Sequence, residues 1–206
     1  MIDNFLRPAE TASEMWADAL RVLGTAGVVV ALLLHGLTDA AIVAFALPGL
    51  MLPRFIGMRP WADTAISATL LVAAWSNVFD VYAQIWWWDI VVHALCAGSL
   101  ATMTYLVLAH KGIVPSPTTP GVGAVGPVVL TVAFGLALGA VWEMIEWFGH
   151  AYLTEEIFVT LDDTIGDMAA GGLGALCAGV LLAYGPQLLM PTALPMSESS
   201  ESTSSR

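Results

Sequence analysis

Three short stretches carry side chains able to do chemistry. Asp89 and His93 stand four apart in Trp86-Trp87-Trp88-Asp89-Ile90-Val91-Val92-His93. Glu143 and Glu146 stand three apart in Val141-Trp142-Glu143-Met144-Ile145-Glu146-Trp147, and Asp163 and Asp167 four apart in Leu161-Asp162-Asp163-Thr164-Ile165-Gly166-Asp167-Met168. Such spacings put each pair on one face of a helix. Five carboxylates and one imidazole suit a hard or borderline divalent ion such as Mg²⁺, Mn²⁺, Ca²⁺ or Zn²⁺. A carboxylate left over would serve as a general base. His93, Glu143, Glu146 and Asp167 are the expected metal ligands, with Asp89 and Asp163 as base or as groups that orient the ligands. The residue types fix neither the identity of the ion nor the number of ions.

Each pair also has a plainer reading. Asp162 or Asp163 would cap a helix, and Asp89 would serve the start of another. A lone histidine is most often a hydrogen-bonded core residue, and Trp86–Trp88 reads as an interfacial belt. Glu143 and Glu146 resist this treatment. They are expected at the C-terminal end of their helix, where the dipole opposes anions, and they repel each other. Protonation, His93 or a bound cation must compensate them.

The elements that hold these residues follow from composition. Of 206 residues, 58% are hydrophobic and 11% charged, and the mean hydropathy is +0.79. A soluble domain carries about 25% charge, so a water-soluble fold is excluded, and disorder is excluded for most of the chain by the same figures. Six Lys and Arg against seventeen Asp and Glu argue against a nucleic-acid partner; membrane lipids are the expected surroundings. Cys96 and Cys177 lie in apolar runs and read as small buried hydrophobes. The fold class is all-α: a polytopic membrane protein with about six transmembrane helices. The spans are read at Ala17–His35, Thr38–Leu52, Ala62–Val78, Trp86–Ala109, Val122–Trp147 and Ile165–Leu189. The second is short and interrupted by Pro48 and Pro53, which points to a broken or re-entrant segment. Residues 1–16 read as an interfacial segment without the pattern of a signal peptide. Residues 17–189 form the membrane domain. A loop carries Pro115, Pro117, Thr118, Thr119 and Pro120, and residues 190–206 form a disordered Ser/Glu-rich tail.

Threading six spans places Arg7, Arg21, Arg54, Arg59, Lys111 and Arg206 on one side. The positive-inside rule makes that side cytoplasmic, with both termini inside, in the plasma (inner) membrane. Ten of the seventeen acids fall on the other side, Glu155 and Glu156 among them, as in a surface suited to a salty medium. The three chemical pairs then share one depth near the outer interface. Small residues, Gly135 and Gly139 on the fifth span and Gly171, Ala175 and Gly179 beside Gly172 and Gly174 on the sixth, would let the helices approach closely.

Trp88-Asp89-(x3)-His93-(x4)-Gly98, Glu143-(x2)-Glu146-Trp147, and Asp163-Thr164-(x2)-Asp167-Met168 with Leu173-Gly174-Ala175 resemble the YjdF-like family of bacterial inner-membrane proteins, catalogued as a domain of unknown function. The resemblance covers Trp86–Leu182. It implies a compact multi-helix membrane fold and says little about activity. A more distant likeness to VanZ-like membrane proteins rests on acidic and histidine residues in late spans. Many relatives carry a Gly-Thr-Gln-Gly-Asp-like stretch where this chain reads Thr154-Glu155-Glu156-Ile157-Phe158-Val159-Thr160-Leu161-Asp162, so any role of that loop does not carry over.

Three functions compete. The first is a metal-dependent hydrolase acting at the outer face on a lipid or lipid-linked substrate. No serine or cysteine nucleophile stands beside His93 except Cys96, in apolar company. The second is a cation or proton transporter, since intramembrane ionisable residues mark pathways. Against it, the inner half offers only Ser99, Thr102 and Thr104, and no inverted repeat is apparent. The third is a non-catalytic protein tied together by a structural metal. Whether the chain is an enzyme stays open at this point.

Overall fold

The computed structural model describes residues 1–190 apart from 118, 120, 122, 155, 156 and 158. The expectations for Thr118, Pro120, Glu155, Glu156 and the tail beyond Met190, with Arg206, lie outside the described residues. Among the described residues eight helices follow in order: α1 (Ile2–Leu6), α2 (Ala12–Leu34), α3 (Leu37–Ile56), α4 (Pro60–Val78), α5 (Val81–Gln84), α6 (Trp88–His110), α7 (Val125–Tyr152) and α8 (Leu161–Tyr184). There is no strand among the described residues, only an isolated bridge between Met58 and Leu189. The chain is an all-α polytopic membrane protein: among the described residues five helices, α2, α3, α6, α7 and α8, are long and apolar enough to cross a bilayer.

Local signals set the helix ends. Thr11 and Glu14 form a reciprocal capping box at the start of α2. Pro60 opens α4, where its missing N–H is not needed. Gly57, with φ 72°, closes α3 in the left-handed conformation that disfavours side chains. The weak second span proves to be a continuous helix of 20 residues with Pro48 and Pro53 inside it. Pro48 forgoes one backbone hydrogen bond, a cost that packing against neighbouring helices absorbs. The least apolar of the six long helices is α4, which carries Asp63, Thr64, Ser67, Thr69, Ser76 and Asn77. It lies against α2, α3, α5 and α6, so Asp63, Ser67 and Ser76 are buried in protein rather than lipid.

The long helices fall into two groups of three. Helices α2, α3 and α4 pack on one another, as do α6, α7 and α8, and α6 meets α3 and α4 across the boundary. At one end, Arg59 N donates to Leu188 O, Met190 N to Gly57 O, and the Tyr105 hydroxyl to Pro115 O. That end gathers Arg7, Arg21, Arg54, Arg59 and Lys111, every described Lys and Arg. At the other end, His35 meets Phe79 edge-on and the Trp88 indole donates to Ser76.

Close packing in the second group rests on small residues, as van der Waals contact must where lipid is as apolar as leucine. A Cβ on Gly174 would lie 2.7 Å from Ala94 Cα, and one on Gly98 would lie 2.8 Å from Gly174 O. Gly135 faces Ala175, and Gly179 faces Val128 and Thr131. Gly139 has nothing within 4 Å of the Cβ it lacks, so the expected Gly135/Gly139 pair packs only through Gly135.

Candidate functional site

The start of α6, the late part of α7 and the start of α8 lie at the end away from the arginines, and α6, α7 and α8 pack mutually. His93 Nε2 lies 3.3 Å from Asp89 Oδ1, one turn earlier on α6, and 3.9 Å from Asp167 Oδ2 on α8. Two sets of potential ligand atoms, each within 4.8 Å, share this imidazole: Asp89, His93 and Asp167, and His93, Glu143 and Glu146. Five of the six residues singled out by spacing therefore meet around one histidine. The sixth, Asp163, belongs to neither set. It sits half-buried in the first turn of α8, close enough for its charge to act on Asp89 and His93. Asp89 stands nearer His93 than Asp167 does, so distance gives no reason to treat Asp89 as more remote than the expected ligands.

Two local expectations need correction. Thr160, not Asp162 or Asp163, caps α8: its hydroxyl accepts from Asp163 N. Helix α7 also runs past Trp147 to Tyr152, leaving Glu146 nearly two turns from its end. The helix dipole fades within the last turn, so it weighs little on the glutamates; burial is the main cost. Glu143 is 8% exposed, and its Oε1 is buried with no hydrogen-bond partner. Thr164 on α8 stands beside the same carboxylate. The described residues at this end include no lysine or arginine to neutralise these acids.

Several neighbours carry no sequence signal of their own. Tyr82, in the connector between α4 and α6, donates its hydroxyl to Ala73 O at 3.0 Å. Burial pushes its phenol well above the usual tyrosine range, and the acidic groups of Cys96, Asp89 and Glu146 push it the same way. The Trp88 indole donates to the Ser76 hydroxyl at 2.9 Å. Thr164 and Ser76 are visible only once helices are packed. Trp86, Trp147, Phe148 and Tyr152 project outward at this end, as an interfacial aromatic belt does.

The opposite end holds a second charged cluster, built on arginines that the sequence offered only as markers of orientation. Arg21 on α2 reaches both oxygens of Asp63 on α4 at 2.5 and 2.6 Å, Asp18 at 2.9 Å, and Leu50 O on α3. Ser67 donates to Asp63 Oδ1. Arg7 pairs with Glu14, and Arg54 donates to Arg7 O. The four-residue spacing of Asp63 and Ser67 is the signal that was available.

A family model described as a predicted membrane protein (DUF2238) matches residues 19–186. It takes in the first three-helix group as well as the three motif blocks. No curated protein and no solved structure matches the chain, and the likeness to VanZ-like proteins finds no support.

Proposed function

Since the chain belongs to the DUF2238 family of predicted membrane proteins, we propose that it is a plasma-membrane protein with six spans and both termini inside, whose carboxylate–histidine site near the outer face binds a divalent cation and hydrolyses a lipid or lipid-linked substrate. All described Lys and Arg lie at the opposite end of the helices, which supports the orientation. One observation carries the cation: Glu143 Oε1 is buried without a hydrogen-bond partner in a group with His93 and Glu146. A buried anionic oxygen without a partner is costly, and among the described residues no lysine or arginine stands near to relieve it. The donor set, one imidazole nitrogen with carboxylate oxygens, fits a hard or borderline divalent ion.

Such an ion, when bound, supplies Lewis acidity and lowers the pKa of water. The chain supplies the rest. Asp89 holds the His93 ring through Nε2, and Thr164 stands beside Glu143. Asp163, half-exposed at the start of α8, accepts the proton of an attacking water. The aromatic belt lets an amphiphilic substrate rest at the interface while its headgroup meets the carboxylates.

The transporter reading fares less well. Thr102, Thr104 and Thr131 each donate to the carbonyl four residues back, so their hydroxyls form no relay toward the arginine end. The deciding experiment is elemental analysis of purified wild type against Glu143→Gln/Glu146→Gln, with hydrolysis of lipid-linked esters assayed in parallel. Metal lost together with turnover supports the reading. Metal that stabilises the protein in the absence of any hydrolysis makes it structural, and metal-free protein with full activity refutes the mechanism.

A further inference from the structure

The helix that carries Asp89 and His93 begins at Trp88, and what holds that start belongs to the other three-helix group. The Trp88 indole N–H donates to Ser76 Oγ at 2.9 Å, and Ser76 is 5% exposed. The connector before Trp88 is equally restrained. Asp80 adopts φ 53°, the left-handed region. Gln84 donates to Phe79 O and Asp80 O, and Tyr82 donates to Ala73 O. A buried hydroxyl that accepts an indole N–H fixes both the position and the rotation of the residue bearing it. Asp89 follows Trp88 directly, so turning the start of α6 about its axis moves Asp89 and, one turn on, His93.

We propose that Ser76 is a positioning residue for the carboxylate–histidine site: through Trp88 it sets the rotation of the first turn of α6 and hence where Asp89 and His93 point. The inference rests on the cation reading above, and it makes α2–α4 more than a lipid-facing scaffold. Groups that orient metal ligands from outside typically account for about 10- to 100-fold in affinity. Ser76 acts at one remove, so the lower figure applies.

The test is Mn²⁺ binding to the full chain in detergent, followed by electron paramagnetic resonance, alongside thermal unfolding. Ser76→Ala is expected to weaken Mn²⁺ about 10-fold and change the line shape of the bound ion while unfolding moves little; Ser76→Thr restores both. Trp88→Phe, which removes the donor from the other side, gives the same loss and keeps the test open if Ser76→Ala does not fold. Wild-type affinity in Ser76→Ala and Trp88→Phe overturns the positioning role and leaves the cation site standing. A lowered unfolding temperature with unchanged Mn²⁺ affinity likewise reduces Ser76 to a packing residue. No saturable Mn²⁺ binding by wild type, with Glu143→Gln indistinguishable from it, brings down both proposals.

Discussion

One methyl group at Gly174 tests whether the approach of α6 and α8 sets the site. Both helices start at the acidic end and descend side by side. A Cβ on Gly174 would lie 2.5 Å from the carbonyl carbon of Ala94 and 2.7 Å from its Cα, and closer still to its oxygen. Unstrained carbon contacts lie at about 3.5–4.0 Å, so the helices must part by about 1 Å, since backbone cannot swing aside as a side chain can. Overpacking of this kind costs about 1–3 kcal/mol, against which alanine recovers at most about 1 kcal/mol of helix propensity. Ala94 adjoins His93, and Asp167 lies two turns before Gly174 on α8. The same displacement therefore widens the 3.9 Å gap between His93 and Asp167. Gly174→Ala is expected to unfold at lower temperature and to bind Mn²⁺ at least about 10-fold more weakly. Gly139→Ala, at a position open to 4 Å, changes neither for the worse. Wild-type Mn²⁺ affinity in Gly174→Ala would refute the claim that this contact holds the ligands in register.

Four further outcomes are expected. Arg21→Met leaves Asp63 buried and unpaired and costs about 3–5 kcal/mol, whereas Arg21→Met/Asp63→Leu recovers most of it; denaturation of the three proteins in one detergent checks the order. Mn²⁺ at 100 times its dissociation constant stabilises wild type by about 2.7 kcal/mol, and Glu143→Gln abolishes the gain, read as a shift in thermal unfolding. A cysteine introduced by Gln84→Cys reacts in intact cells with a membrane-impermeant maleimide, and one introduced by Ile113→Cys reacts only after lysis; the reverse pattern inverts the topology. The Tyr82 phenol, raised by burial, contributes no pH dependence below about pH 10, the unfolded tyrosine value. Above that, unfolded chain releases a proton the folded chain keeps, so stability falls as pH rises. Ultraviolet titration of wild type against Tyr82→Phe shows whether the missing step belongs to this residue.

Helix existence was legible because apolar runs of span length admit few other folds. The acidic pairs were legible because three- and four-residue spacing fixes a helix face whatever the packing. Helix quality was less so. Pro48 and Pro53 argued for a broken span, yet α3 is continuous, because what a proline costs depends on neighbours that local sequence does not reveal. The third span read as ordinary, while α4 is the most polar of the six, and its place among α2, α3 and α6 together with the Arg21 pair makes Asp63 tolerable. Ser76, Tyr82 and Thr164 could not be found from spacing, since each acts across a helix boundary. The two triads around His93 likewise depend on the close approach of α6, α7 and α8, which Gly174, Gly98 and Gly135 permit but whose register the glycines alone do not specify.

The two ends of the molecule face the same electrostatic problem and solve it differently. In α2–α4, carboxylates at the start of the first and third helices converge with a guanidinium from α2: Asp18 and Asp63 lie on Arg21, with Ser67 and Leu50 O filling the remaining donor and acceptor positions. In α6–α8, carboxylates again stand at the start of the first and third helices, Asp89 and Asp167, and two more come from the second. The only described basic side chain within salt-bridge reach there is the His93 imidazole. An arginine held by a rigid pair is a permanent cation, covalently attached and unable to exchange. A lone imidazole supplies at most one positive charge beside four carboxylates, and within that cluster Glu143 Oε1 is buried without a hydrogen-bond partner. The Arg21–Asp63 cluster is thus neutralised from within the chain, and the cation-dependent chemistry proposed above belongs to the other cluster, where no lysine or arginine is described.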